Sequence, residues 1–173
     1  MITLEPVIEM PCVMSGAWRG LGVHVFEGKV TLADMDVLER RGDAWARKNP
    51  GSRVEMTIIL PSNTQMTSEE RTRMVRIIKR WEHVRTASAM VILATGLVGA
   101  GHRSVLTGLL LFAPPPHPAK VFGAVHTAVD WIAPYVQSIC GAEATSPEIK
   151  AAVDVLVDRF RAFRAAHLET TRA

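Results

Sequence analysis

The sequence predicts a single α/β domain in which helices cover a mixed, mainly parallel sheet, with an extra amphipathic helix at the C-terminus. Three observations predict this class. Residues 53–61 alternate apolar and polar side chains, as strands do. Residues 88–96 are almost continuously apolar, which is typical of a parallel strand covered on both faces. Apolar residues at helical spacing lie between and after these strands. The length of 173 residues fits one ordinary domain.

The first elements are predicted from valine-rich stretches interrupted by glycine. We predict one strand over VIEMPCVMSGAW (7–18) and a second over GLGVHVFEG (20–28), joined as a hairpin. A helix should follow, because Thr31 is a suitable N-cap and Asp34 stands three residues later in capping-box spacing. Asn49-Pro50-Gly51 should end that helix.

The middle of the chain predicts two strands and the helix between them. In the strand at 53–61, Val54, Met56 and Ile58 share one face, and Glu55, Thr57 and Ile59 share the other. A helix over about 69–83 follows, with Thr67 or Ser68 as its N-cap. The apolar strand at 88–96 should lie centrally in the sheet rather than at an edge.

The last third of the chain predicts a helix, a short strand and two more helices. A glycine-rich turn leads into a helix at 103–112, which three prolines stop. A strand at 119–123 and a helix at 124–137 follow. Ser146 should cap the C-terminal helix, whose apolar stripe comprises Ile149, Val153, Leu156, Phe160 and Phe163. This stripe should pack on its own domain or, alternatively, form a homodimer.

Composition and spacing exclude several classes of function. Twenty Lys and Arg residues oppose seventeen Asp and Glu residues and are spread along the chain, so nucleic-acid binding is not predicted. Two distant cysteines and six histidines without metal-ligand spacing predict no disulfide scaffold, no metal and no cofactor. The N-terminus lacks the pattern of a signal peptide, and the apolar stretch at 87–101 is too short to span a bilayer. A cytoplasmic location is expected.

No catalytic residue is assigned. Neither a nucleophile-elbow motif nor a cysteine in an activating context is present, and we interpret His24 as a hydrogen-bonded histidine within a strand. The turn at 96–102 is a candidate anion-binding nest that would use Gly99, Gly101, His102 and Arg103. Its simpler interpretation is a tight turn between a strand and a helix.

A basic stripe is the candidate surface for a partner. Arg73, Arg76 and Arg80 fall on one side of the helix at 69–83, at three- and four-residue spacing. They would suit an acidic protein or anionic lipid headgroups. A solvated helix face is the simpler interpretation.

The order of elements resembles the STAS fold of anti-sigma-factor antagonists, and in particular its SpoIIAA-like branch, which is related to lipid-transfer domains. The most specific match is the block at 103–132, where a helix, a proline-bearing loop, a short strand and a final helix with Ala128 and Trp131 follow one another. The resemblance covers about residues 7–138. It implies a domain at 1–141 and leaves the helical extension at 142–173 outside.

The resemblance also implies a place for phosphorylation. In antagonists of this family the phosphoacceptor is a serine at the start of the helix after the third strand, in an Asp-Ser context. The matching stretch here is 60–68, which lacks the Asp-Ser pair and offers four hydroxyl groups, those of Ser62, Thr64, Thr67 and Ser68.

Together these features predict a non-catalytic regulatory or protein-interaction module of bacterial-type intracellular signalling. The alternative is a carrier of a lipid or another apolar small ligand, with the helix at 104–112 and the proline loop as a movable lid. A third and less favoured interpretation is an enzyme that uses His102 on an anionic substrate.

Overall fold

The computed structural model describes residues 2–62, 66–94, 96, 99–101, 103, 104, 107 and 114–172, and the side chains up to residue 169. Its strands are β1 (Glu5–Met10), β2 (Val13–Trp18), β3 (Leu21–Phe26), β4 (Arg53–Ile59), β5 (Arg85–Ile92) and β6 (Ala119–Phe122). Its helices are α1 (Leu32–Lys48), α2 (Ser68–Arg80), α3 (Val125–Cys140) and α4 (Ser146–Arg172), with a 3-10 turn at Glu82–Val84.

The strands form one six-stranded sheet in which spatial order follows chain order. The pairs β1–β2 and β2–β3 are antiparallel, whereas β3–β4, β4–β5 and β5–β6 are parallel. The predicted α/β class with a mixed, mainly parallel sheet is therefore confirmed. Strand β5 lies between β4 and β6, so the prediction that the apolar strand avoids the sheet edge is also confirmed.

Two predicted elements have other bounds in the structure. The first predicted strand is two strands, β1 and β2, because the chain turns at Pro11 and Cys12 and Met10 then pairs with Val13. Proline has no N–H to donate to a ladder, which favours a turn at this point. The predicted strand at 88–96 instead spans Arg85–Ile92.

Helix starts follow the capping-box rule. Thr31 caps α1 with Asp34, as predicted, and Thr67 rather than Ser68 caps α2. At α4 the prediction of Ser146 is wrong, because Thr145 and Glu148 exchange the capping-box hydrogen bonds. The reciprocal bonds require a Glu three residues after the cap, and only Thr145 has that spacing.

One face of the sheet is covered by α3 and α4. Helix α3 packs on β4, β5 and β6, and α4 packs on β2 and β3. The C-terminal helix is thus present, and it shares its core with residues of the sheet: Ile149, Val153, Leu156 and Phe160 are at most 2% exposed. Its apolar stripe is packed within the chain.

The other face carries α1 and α2. Helix α1 contacts β1 and α2, and its Met35 and Leu38 are buried there with Ile77 of α2. The predicted helix at 103–112 belongs largely to the undescribed residues. Of its positions, 103, 104 and 107 are described, and they are helical.

Among the described residues, no helix combines the length and the apolar composition that crossing a membrane requires.

Candidate functional site

A cavity of about 420 Å³ lies between the sheet and the layer formed by α1 and α2. Its floor is the sheet face that carries Gly22 and His24 of β3 and Glu55 and Thr57 of β4. Its wall is mainly apolar and aromatic, comprising Val7, Ile8, Phe26, Val30, Leu38, Trp45, Ile59, Met66, Met74, Ile77, Ile78, Trp81 and Met90. A mainly apolar cavity with a few converging polar groups is the usual form of a small-molecule site.

Strand alternation brings the polar groups to the floor. In β4 the side chains of Val54, Met56 and Ile58 enter the core on the α3 side. The intervening Glu55 and Thr57 therefore point into the cavity, as a period of two requires. The alternation predicted at 53–61 is confirmed, and its polar face is the floor of this site.

Three charged side chains form a buried cluster at one end of the floor. Arg53 and Arg85 are opposite each other in the register of β4 and β5, and Glu55 stands between them. One oxygen of Glu55 is 3.3 Å from Nε of Arg53, and the other accepts a hydrogen bond from Nε of Arg85. Without Glu55, two like charges would face each other across neighbouring strands.

The guanidinium of Arg53 is nearly enclosed. The residue is 5% exposed, and its charged group lies 4.8 Å from the centre of the Trp45 ring. Its Nε meets Glu55 as an ion pair but has no hydrogen-bond partner among the described residues. Burial lowers the pKa of Arg53 and the Glu55 carboxylate opposes this, but an arginine remains charged.

The second polar feature of the floor is His24. Its Nδ1 shares a hydrogen bond of 2.8 Å with the hydroxyl of the buried Ser15. A side chain at position 22 would lie 3.5 Å from Nε2, so Gly22 leaves space beside that nitrogen. Burial lowers the pKa of His24, and the attraction of Glu55 opposes the shift. The imidazole is therefore neutral near pH 7, and the prediction of a hydrogen-bonded strand histidine is confirmed.

A second histidine, His117, contacts β5 from the segment just before β6. Ser88 shares a hydrogen bond of 3.0 Å with Nε2 of His117, and burial lowers the pKa of that imidazole. His117 follows the proline loop and is not part of the cavity lining.

The hydroxyl groups expected for phosphorylation have different surroundings. Ser62 is exposed and lines the cavity. Thr67 is the N-cap of α2, where it accepts a hydrogen bond from Glu70, and Ser68 accepts one from Arg71. Thr64 lies outside the described residues. Phosphorylation in this stretch stays a prediction.

The candidate anion nest is described only in part. Arg103 donates hydrogen bonds of 3.3 and 3.0 Å to the carbonyls of Ile92 and Ala94. Its guanidinium therefore binds backbone carbonyl groups at the end of β5. Gly99 is buried, Gly101 is exposed, and His102 lies outside the described residues. The nest stays a prediction.

The basic stripe of α2 faces the carboxylates of α1. Arg73 contacts two of them, including Asp36 at 3.0 Å, and Arg80 donates hydrogen bonds of 2.9 and 2.7 Å to Asp43. The hydrogen bond from Arg80 lowers the pKa of Asp43. Arg76 remains exposed. These ion pairs reduce the positive charge that the stripe offers, and its role as a partner surface stays a prediction.

The cysteines and carboxylates form no further site in the described ranges. Burial, together with nearby Asp34, raises the pKa of the Cys12 thiol to about 11, which keeps it protonated and unreactive. No group of three or more His, Cys, Asp or Glu side chains within these ranges could hold a metal ion.

Sequence reasoning missed the cavity and its charged cluster. The available signal was the set of polar residues inside strands that are covered on both faces, namely Ser15, His24, Glu55 and Thr57. A buried polar group is costly unless it is paired, so such positions indicate a site. Arg53 and Arg85 stand at strand starts, where a sequence alone suggests solvent exposure.

Comparisons with models of protein families, with curated proteins and with solved structures found no match to this chain.

Proposed function

We propose that this protein binds a small, mainly apolar molecule in the cavity between its sheet and helices α1 and α2. The observation that supports this function is the cavity itself, which has a volume of about 420 Å³, aromatic and aliphatic walls and a polar floor. The space is partly open to solvent, and its volume lies within the range of small-molecule pockets.

This function is the ligand-carrier alternative that the sequence predicts, but the pocket lies at a different place in the fold. The expected pocket lay beneath residues 104–118, whereas the cavity is lined by residues of β1 to β5, α1 and α2. Two tryptophans, Trp45 and Trp81, form part of its wall. Trp81 donates a hydrogen bond of 3.1 Å to Asp43, which fixes its ring beside the cavity. A fixed aromatic wall favours a defined ligand over nonspecific apolar uptake.

Ligand binding is compatible with the predicted regulatory role. A SpoIIAA-like module could use an occupied cavity as the signal that it presents to a protein partner. The alternation of strands and helices from β3 to α3 agrees with the resemblance and supports the proposal of a SpoIIAA-like fold. The partner and any signalling role remain predictions.

Two measurements test the binding function. Native mass spectrometry of the purified chain should detect a co-purified small molecule, and the apolar dye Nile red should gain fluorescence on binding. Thr57→Phe should reduce dye binding strongly, because position 57 lies on the floor between His24 and Met90 in the sheet register. Thr127→Phe is the control, since exposed Thr127 on α3 adds the same ring outside the cavity.

The proposal fails if neither method detects a bound molecule. It also fails if Thr57→Phe and Thr127→Phe bind Nile red as the unaltered protein does. The dye would then report a surface patch rather than the cavity.

A further inference from the structure

The charges that line the cavity do not balance. Its charged lining residues are Lys29, Arg53, Glu55 and Arg85. Lys29 forms an ion pair of 3.1 Å with Glu70, a residue beside the cavity, so that pair is neutral. Two arginines and one carboxylate remain, which leaves a net charge of +1.

These remaining charges have little access to solvent. The side chains of Arg53, Arg85 and Glu55 are 6%, 9% and 11% exposed. A buried charge is costly unless a group of opposite charge is near it. An anion placed against the cluster would therefore offset its excess positive charge.

The chain has no further carboxylate to supply. All seventeen Asp and Glu residues of the sequence lie within the described ranges, and of these only Glu55 lines the cavity. Both oxygens of Glu55 are already used, one by each arginine. A balancing negative charge would therefore have to come from a ligand.

Resting on the ligand-binding function proposed above, we propose that the ligand is a monoanionic carboxylate with an apolar body. Its carboxylate lies against Arg53 and Arg85, and its body lies among Trp45, Met74 and Trp81 on the helical side of the cavity. One carboxylate balances the cluster, whereas a phosphate monoester, with a charge of about −1.5 to −2, would exceed it.

The hydrogen-bonding groups of the floor suit this headgroup. Besides the Nε that meets Glu55, the guanidinium of Arg53 carries further N–H donors. When the Ser15 hydroxyl donates to Nδ1 of His24, Nε2 carries the proton and can donate to a carboxylate. Thr57 adds a hydroxyl on the same face. All of these groups can donate, and an anion needs donors.

Pairs of ligands that share a carbon skeleton and differ only in the charge of the headgroup test whether the cavity prefers an anion. We would measure binding of decanoate against decanol, and of phenylbutanoate against phenylbutanol, by isothermal titration calorimetry at about pH 7.5, where carboxylic acids are ionised. In at least one pair the carboxylate should bind about tenfold more tightly than the alcohol. The pair that shows the preference distinguishes a linear from an aromatic body.

Two variants should change this preference in opposite directions. Arg53→Met makes the cluster neutral and should remove the preference for the carboxylate. Glu55→Gln raises the net charge and should increase it. Arg159→Met is the control, because it removes a cation that pairs with Glu9 outside the cavity. Circular dichroism spectra should show that each variant is folded. If Arg53→Met does not fold, the unaltered protein and Glu55→Gln still decide the question.

The outcomes separate the two proposals. If acids and alcohols bind equally and Arg53→Met changes neither, the charge inference is overturned while the binding function stands. If none of the four compounds binds and no molecule co-purifies, the binding function fails as well. A co-purified neutral molecule that occupies the cavity also overturns the inference.

Discussion

The two covered faces of the sheet differ in how completely they are filled. On the side of α3 and α4, apolar side chains from the strands and both helices form one continuous core. On the side of α1 and α2, a smaller apolar cluster borders a cavity with a charged floor. The same strands supply both faces. The comparison shows that close packing can be concentrated on one face of a sheet while the other face keeps open space.

Glycine illustrates the contrast within one strand pair. A side chain at Gly16 would meet Leu4 and Leu156 at 3.1 Å, so glycine there allows close packing of α4 on β2. A side chain at Gly22 would instead meet the ring of His24 at 3.5 Å, at the cavity floor. Gly16 therefore allows close packing in the core, and Gly22 leaves space beside a polar side chain.

A pair of leucine truncations should give the largest difference between the faces. Leu156→Ala should lower the free energy of unfolding by about 3–5 kcal/mol, because its side chain is enclosed by the core. Leu38→Ala should cost about 2 kcal/mol, because Leu38 already borders empty space and loses fewer contacts. Urea denaturation of the ligand-free variants measures both values. Equal losses would show that the two faces are equally well packed.

Enlarging one alanine on each face sharpens the comparison. Ala89 is 2% exposed in the core beneath α3, so Ala89→Leu should cost about 1–3 kcal/mol through overpacking. Ala17 lines the cavity, so Ala17→Leu has room for the added atoms and should change stability by less than about 1 kcal/mol. Thermal and urea denaturation test both variants. A large loss from Ala17→Leu would mean that the cavity is unable to admit even an added side chain.

The well-packed face was largely predictable from the sequence. Its residues form patterns that are visible along the sequence. These are the period of two in β4, the apolar run in β5 and the apolar helical stripe of α4, which begins at Ile149. Each signal is local, and burial on that face follows from it. The strand break at Pro11 was missed because the apolar residues on both sides of it suggested one continuous strand over 7–18.

The open face was predictable only in part. The polar positions of β3 and β4 were visible, but the size of a cavity depends on how far α1 and α2 stand from the sheet. The pairing of Arg53 with Arg85 depends on the register of two strands separated by a whole helix. Sequence patterns specify which face a side chain occupies but not which distant residue it meets.

The smallest expected effect concerns the pH dependence of stability and comes from the open face. Burial lowers the pKa of His24 below its ordinary value of 6.5, so the unfolded chain binds a proton more readily than the folded one. Stability should therefore be highest above pH 6.5 and fall as the pH decreases from there toward the lowered pKa. Each histidine with a lowered pKa changes the free energy of unfolding by at most about 1.4 kcal/mol per pH unit.

His24→Gln isolates this contribution, because glutamine can keep a hydrogen bond to Ser15 but does not titrate. Between about pH 7.5 and pH 5.5, the free energy of unfolding should fall less in this variant than in the unaltered protein. Some slope should remain, since burial also lowers the pKa of His117. Carboxyl groups with lowered pKa values, such as Glu70, start from an ordinary value of 4.5 and titrate below this window. Urea denaturation at several pH values gives the slopes. An identical slope in both proteins would mean that His24 can accept a proton inside the cavity at little cost, and the cavity floor would then be well hydrated rather than closed around a neutral imidazole.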